Sequence, residues 1–376
     1  MSNTRLWRRR ESEVGFLSRA RVILLLEKEP NAESTGGSDL SEPKLHHFVS
    51  QSYLKRFANE RNQVTVRSRD GSSFTSNIRN VMAVMGLYKV PQKPLTAEQT
   101  LGALEDEAKG VFDHIDEGRT LPPSGSIERD TLALFMGVQL ARDPDHVLRF
   151  EFVHDVLASV GDPPIDPGSM REYLKGNVLG FEPEDTEVQG ACDFVNASAM
   201  QPDFPTREEA TQQRIDLMFD LAIHTAEHLK QRSWSLEAAR HGELITSDRP
   251  VTIWAEPSPE DTYRGVGIHG ADEIWLPIDR TRLISLQLSG PERVRTLGPS
   301  RLNQVNTHIA RHCTMLIASH PENPEVQGLP LARRRPIIRF NTGPLFAGDE
   351  RAEGEVLHVW KPIRDIPDDW SPRTAR

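Results

Sequence analysis

The densest run of reactive side chains is His46-His47-Phe48-Val49-Ser50-Gln51-Ser52-Tyr53-Leu54-Lys55-Arg56-Phe57. Two adjacent imidazoles lead into an amphipathic turn that carries a phenol and two cations. Histidine titrates near neutrality, so either ring could act as a general base or a metal ligand. Neighbouring side chains of an extended segment point to opposite sides, so His46 and His47 do not easily share one metal. One can work while the other packs. Tyr53 and Phe57 share a face of the turn, and Arg56 can reach back toward an acid. The plainer reading is a histidine satisfied by a backbone carbonyl, fastening this segment to a sheet.

A second constellation is Thr246-Ser247-Asp248 ahead of Pro250. Asp248 could be a base or a metal ligand; equally, Ser and Asp before a proline make local turns with their own backbone. Ser247 lacks the G-x-S-x-G elbow of a serine nucleophile. On the acidic face of Glu98, Glu105 and Glu107, a solvated surface is the default. Glu105 is the exception, because a carboxylate near Arg142 or His46 would make a polar cluster. Glu105, Arg142 and Ser247 are therefore the residues expected to hold a substrate or cofactor. No cofactor type follows from the sequence, although a divalent metal is compatible with the set. His, acid and Arg together suit hydrolysis of a phosphoester, with Arg stabilising developing negative charge. A nuclease-like enzyme in defence against mobile DNA is the sharpest form of this expectation. The rival is a non-catalytic binding module in which His46, His47, Tyr53, Arg56 and Asp248 are structural. Exposure separates the two, since a catalytic cluster must be reachable.

Two further histidine pairs stand at i, i+4 spacing. His224-Thr225-Ala226-Glu227-His228 matches H-x-x-E-H, and a helix would place both rings on one face, as zinc requires. They lie opposite the main apolar stripe, and no third ligand stands out, so a metallopeptidase is a remote alternative. His308 and His312 form another i, i+4 pair, for which ordinary packing is the expected role.

The elements that must carry these residues follow from periodicity. Val64 and Val66 alternate, and Asp70-Gly71 gives hairpin chemistry. Leu101, Leu104, Ala108, Phe112 and Ile115 repeat at helical spacing, with Gly118 as the stop. Ser126 caps a helix through Leu140, which Pro144 ends, and a further helix runs to about Val160. Residues 161–204 read as irregular. Thr206 and Glu209 form a capping box for a helix to about Lys230. Strands are expected at Trp234–Ala238, Leu244–Trp254, Ile274–Ile278, Leu283–Leu288 and Met315–Ala318, with a helix over Ser300–His312. The pattern predicts an α+β fold with a mainly antiparallel sheet and a cluster of central helices.

The 376 residues carry a formal charge of -10, which offers no global field toward nucleic acid or anionic lipid. Two cysteines in no metal or disulfide spacing fit a reducing cytosol. No apolar run approaches the ~18 residues of a membrane span. A cytoplasmic protein without membrane partners is expected. Residues 1–43 read as a charged helix and a linker rich in Ser, Gly and Glu, 44–341 as the body, and 342–376 as an irregular tail with one strand over Val356–Trp360.

The His-His segment and Thr246-Ser247-Asp248-Arg249-Pro250-Val251, with Trp234 ahead of it, resemble the bacterial DUF4238 family, a domain of unknown function. Weaker blocks are Asn80 to Tyr88, Glu98 to Glu105, Arg142-Asp143-Pro144, Trp275-Leu276-Pro277-Ile278 and Val305-Asn306. The resemblance covers roughly 44–320. The family usually has proline where this chain has Ser50, and serine can cap the turn that follows. The resemblance implies no particular reaction. The two main blocks, so distant in sequence, are expected to meet in space, with His46 or His47 approaching the neighbourhood of Asp248.

The linker composition generates a test. Residues 31–43 hold too little apolar area to offset an ordering cost of about 1–2 kcal/mol per residue. A chain lacking residues 1–43 should keep a cooperative melting transition in circular dichroism; loss of that transition would contradict the assignment.

Overall fold

The computed structural model describes residues 45–68, 71–85, 87, 97–142, 144–179, 182–256, 267–331, 337–347 and 350–360. The helix and linker expected over 1–43 lie outside these. In chain order the elements are β1 (Leu45–His47), a helical turn (Gln51–Leu54) tightening over Lys55–Phe57, β2 (Gln63–Ser68), β3 (Ser73–Asn77) and β4 (Ala83–Met85). Then come α1 (Ala97–Gly118), α2 (Ile127–Ala141), α3 (Pro144–Ser159), α4 (Pro167–Tyr173), α5 (Asp185–Ala199) and α6 (Arg207–Lys230). The remainder is β5 (Ser233–Ala239), β6 (Thr246–Ser247), β7 (Thr252–Trp254), β8 (Glu273–Pro277), β9 (Arg282–Gln287), β10 (Arg293–Leu297), α7 (Pro299–His312), β11 (Leu316–Ser319), β12 (Ile337–Ala347) and β13 (Glu350–Trp360). The fold is α+β with mainly antiparallel pairing, as the periodicity predicts.

The body expected over 44–341 divides into two compact units: 1–143, 215–257 and 266–332 in one, and 144–214, 258–265 and 333–376 in the other. The first holds a five-stranded sheet in the order β10-β5-β9-β8-β7, a four-stranded sheet in the order β3-β2-β11-β6, and the β1–β4 pair. The β2–β3 hairpin turns at Gly71, whose φ of 89° suits glycine alone among common residues. β10 joins β5 in parallel, a pairing the alternation did not announce. Strand over Leu244–Trp254 shrinks to β6 and β7, because Ser247 and Asp248 turn the backbone between them.

α1 and α2 form an antiparallel pair. Ser126 accepts the Arg129 N–H and starts α2. α1 runs through Gly118, and Arg119, at φ 52°, takes the left-handed position expected of the glycine. Phe112 and Phe135 meet edge to face at 5.6 Å. Most of α2 is buried, from Arg129 through Ala141, so it is a core helix rather than a surface one. It approaches α6 so closely that a Cβ at Gly137 would lie 2.3 Å from the Ala222 carbonyl oxygen. On α7, the buried Asn306 accepts the Ile245 N–H at 3.1 Å and donates to the Glu243 carbonyl at 2.8 Å, standing in for a strand partner.

In the second unit, Phe152, Val156, Met170, Leu174, Ala191 and Val195 make the core. Two expectations are corrected here. The Pro- and acid-rich stretch 161–204 is not irregular: α4, a wider helical turn (Leu174–Leu179) and α5 occupy it, started by Asp166 as N-cap and by the Glu184–Glu187 capping box. Acids that read as loop composition are helix caps. Within the expected tail, the described residues 342–347 and 350–360 are not irregular, since β12 and β13 pair antiparallel through all eleven positions of each; 361–376 lie outside the described residues. Pro144 begins α3 rather than only ending α2, the favoured first-turn position for proline.

The α2–α6 crossing makes a prediction. Gly137→Ala should lower unfolding free energy by about 1–3 kcal/mol in a denaturant titration, because backbone rather than a flexible side chain must move. An unchanged midpoint would contradict the close approach.

Candidate functional site

The two polar blocks do meet, through Tyr53 and Thr246. Tyr53, fully buried, donates from its hydroxyl to the Pro277 carbonyl at 2.7 Å and lies 2.9 Å from the Thr246 hydroxyl. Burial pushes its phenol well above the ordinary range, so it stays protonated. Asp248 accepts the backbone N–H groups of Thr314, Met315 and Leu316 at 2.7, 2.5 and 3.1 Å. Ser247 donates to the Arg249 carbonyl and accepts the Arg249 N–H, a local turn. Tyr53, Ser247 and Asp248, candidates for chemistry in the sequence, are buried here, and their polar groups bond backbone or a neighbouring hydroxyl and so tie segments of the chain together.

Arg56 is also engaged. It donates to the Ile278 carbonyl at 2.5 Å, grips Asp116 with both terminal nitrogens at 3.2 and 2.7 Å, and reaches Asp279 at 3.3 Å. Arg282 closes the square, 2.5 Å from both Asp116 and Asp279. Burial alone would raise the Asp116 carboxyl, but the Arg56 and Arg282 guanidiniums outweigh it and hold it below the usual range. Asp279 further accepts the N–H groups of Thr281 and Arg282, which shapes the β8–β9 turn. Arg56 thereby fastens the first block to α1 and to that hairpin.

A different cluster forms around His47. β1 pairs with β4, placing His46 opposite Val84 and His47 opposite Ala83. His46 is buried, and His47 is half-buried. The His47 carbonyl accepts from Arg142, and Arg142 donates to Glu105 at 2.6 Å. Arg142 is the residue that closes α2. The Gln51 amide nitrogen lies 3.3 Å from His47 Nδ1. An amide nitrogen can only donate, so the neutral ring carries its proton on Nε2. Burial lowers the His47 pKa and keeps the ring neutral, against the opposing pull of the Ile78 and Arg79 carbonyls and Glu105. Those carbonyls lie near enough to favour the charged ring, but no hydrogen bond of good geometry reaches Nε2 among the described residues.

Glu98, two turns before Glu105 on α1, completes the group. Its Oε2 is buried and likewise lacks a partner among the described residues. Burial raises its pKa, with Glu105 adding to the rise and Arg142 opposing it. Glu98 was expected to be solvated surface; the seven-residue spacing to Glu105, which puts both on one helix face, was the signal for it. Gln139, three residues before Arg142 on α2 and buried with neither amide atom partnered among the described residues, was missed altogether, since a lone Gln in an apolar helix carries no motif.

Elsewhere, His224 bonds the Asp220 carbonyl of its own helix at 2.7 Å, Glu227 pairs with Lys230 at 2.8 Å, and His228 packs against His269 with ring centres 4.0 Å apart. The H-x-x-E-H residues thus face different partners. His308 reaches the Ile253 carbonyl at 2.9 Å and stacks on His312, as packing residues do. Among the described residues no group of three or more His, Cys, Asp or Glu is placed to hold a metal ion. No helix among them is long and apolar enough to cross a membrane.

The sequence profile of one family, "Protein of unknown function (DUF4238)", matches residues 45–323. That span is most of the chain, and the protein belongs to the DUF4238 family. It contains the His47 cluster and the structural ties alike. Neither the curated proteins nor the solved structures include a match to this chain.

The electrostatics of Glu98 can be tested by pH. Its folded pKa is raised above 4.5, so the folded state holds the proton to higher pH, and stability falls as pH rises through that value. Glu98→Gln should therefore be more stable than the natural chain at pH 7 and lose that advantage near pH ~4. His47, whose lowered pKa costs stability as pH falls, is common to both proteins and cancels in the difference. Equal stability at pH 7 would contradict the assignment.

Proposed function

We propose that this protein is a hydrolase acting on a phosphoester of nucleic acid or a nucleotide, with its reacting groups in the His47 cluster. The observation that carries the reading is that His47 Nε2 and Glu98 Oε2, each buried and without a hydrogen-bond partner among the described residues, both feel the charges of the Arg142–Glu105 ion pair. A carboxylate with raised basicity is suited to take a proton from water. A neutral imidazole with its proton on Nε2 is suited to donate to an oxygen where negative charge develops. Arg142, fixed by Glu105 and the His47 carbonyl, supplies standing positive charge. In this scheme Glu98 deprotonates a water as its oxygen bonds to phosphorus. The bond from phosphorus to the leaving oxygen breaks, and the proton held by Glu98 passes to that oxygen. His47 is a donor here rather than the base its residue type first suggests, because Gln51 occupies Nδ1. We place the protein in the bacterial cytoplasm, a reading supported by two buried thiols that form no disulfide.

One set of observations favours a second reading, a non-catalytic binding module. Tyr53, Arg56 and Asp248 are buried or nearly so and bonded to backbone or to opposite charge, as a structural polar core would be.

Hydrolysis of bis(p-nitrophenyl) phosphate and of single- and double-stranded oligonucleotides separates the readings. Under the hydrolase reading, Glu98→Gln and His47→Ala each lower kcat by about 100-fold or more while the fold is retained. Rate should rise with pH as Glu98 loses its proton. Asp248→Ala should instead cost about 1–3 kcal/mol of stability and keep its activity below its melting temperature. Natural-chain activity absent across the panel, or unchanged in both Glu98→Gln and His47→Ala, would overturn the hydrolase in favour of the binding module.

A further inference from the structure

β3 is an edge strand, paired in its four-stranded sheet with β2 alone. The bonding of this hairpin is fixed at both ends, where the Ser68 N–H donates to the Ser72 carbonyl and the Ile78 N–H to the Asn62 carbonyl, each at 2.9 Å. Antiparallel pairs alternate between bonded and unbonded, so Val66 bonds Phe74 and Val64 bonds Ser76. Ser73, Thr75 and Asn77 therefore turn their N–H and C=O groups away from β2. No described residue bonds the outward backbone groups of Ser73 or Thr75, and both residues are exposed. Phe74, Val66, Ala318 and Thr246 are register partners in one row across the sheet, so their side chains share a face. The last three are fully buried, whereas Phe74 is 52% exposed. The buried row thus runs to the edge and ends there uncovered. Other edges differ. β10 carries Arg293 and Arg295, charges of the kind that oppose strand addition. In β7 the Ile253 carbonyl is taken by His308, and β6 is buried. β3, Ser-Phe-Thr-Ser-Asn, has neither charge nor proline.

We infer that β3 is the contact through which two copies of this chain associate, antiparallel about a two-fold axis at Thr75. The inference stands apart from the hydrolase reading and uses none of its residues. A second copy is the fitting occupant because the strand complements itself. The axis sets Thr75 opposite Thr75 of the other copy, Ser73 opposite its Asn77, and Phe74 opposite its Ser76. Each pair of outward residues then exchanges two main-chain hydrogen bonds. The two Phe74 rings become diagonal neighbours on one face, within reach of each other, and cover the point where the buried row ends. No charge meets a like charge at any of these positions. Two four-stranded sheets join into one, and growth stops there because β6, the far edge, is buried. One strand edge is a small interface, so the dimer is reversible, with a dissociation constant on the order of 1–100 µM.

Sedimentation velocity of the full chain across about 1–200 µM tests this. The average mass of the natural chain should climb with concentration toward twice that of one chain. A residue on a two-fold axis faces itself, so Thr75→Lys sets two like charges in contact, and so does Thr75→Glu. Each variant should raise the dissociation constant about 5-fold or more. Mixed in equal amounts, the two should dimerise again, since Lys then faces Glu across the axis. That rescue distinguishes pairing at Thr75 from any other contact surface. A natural chain that stays single throughout would overturn the inference and leave the edge to a strand of a different protein. A dimer equally strong in both charge variants, or a mixture no stronger than its components, would overturn it as well. Masses beyond two chains would contradict the closed two-fold. Loss of the cooperative melting transition in either variant would show that position 75 is not open to solvent, and would equally overturn the inference.

Discussion

The first unit is organised around one phenol. The Tyr53 hydroxyl contacts Thr246 of β6, in the four-stranded sheet, and Pro277 of β8, in the five-stranded sheet, while its ring packs on Phe57 and Phe135. A single side chain thereby ties a helical turn, a core helix and both sheets. Its position is polar at one point and apolar everywhere else, which suits tyrosine above any other residue. The carbonyl and hydroxyl it satisfies are themselves buried, so its absence would leave two groups without a partner as well as removing a bond.

Other ties repeat the same logic with charge. Asp248 gathers three consecutive backbone N–H groups where α7 gives way to β11. The four charges of Arg56, Asp116, Asp279 and Arg282 fasten the first block to the end of α1 and to a hairpin turn. Ion pairs at such a half-buried position, with Asp116 still open to water, contribute mainly by fixing geometry, since desolvation and solvent screening offset much of their attraction. The result is a rigid frame on which β1 and α1 hold His47 and Glu98 at the edge of the polar core. Those two side chains differ from the ties in one respect: each keeps a buried polar atom with no hydrogen-bond partner among the described residues.

Much of this frame was legible in the sequence. The hairpin at Gly71, the cap at Ser126, the capping box at Thr206 and Glu209, and the strands at Trp234 and Leu283 all rest on local rules, and each lies where those rules place it. The meeting of the two polar blocks was also anticipated, although Tyr53 and Thr246 make it rather than a histidine and Asp248. What local rules did not reveal depended on distant partners. The acids of 161–204 are an exception, since the caps they make are local, Asp166 to Ser169 and Glu184 with Glu187, and their Pro- and Gly-rich surroundings masked them. Asp116 and Asp279 carry no motif, and only the approach of Arg56 and Arg282 gives them a role. Glu98 and Gln139 are the clearest cases, because what distinguishes them is the absence of a partner, and residue type and spacing do not encode that.

The division between ties and reacting groups is tested most directly by removing a single oxygen. Tyr53→Phe keeps the ring and its packing and deletes only the hydroxyl. In a urea titration followed by fluorescence, the account predicts a loss of about 1–3 kcal/mol with an unchanged slope, and hydrolysis of bis(p-nitrophenyl) phosphate equal to that of the natural chain while folded. Stability equal to the natural chain, together with abolished hydrolysis, would contradict it and return Tyr53 to the reacting groups.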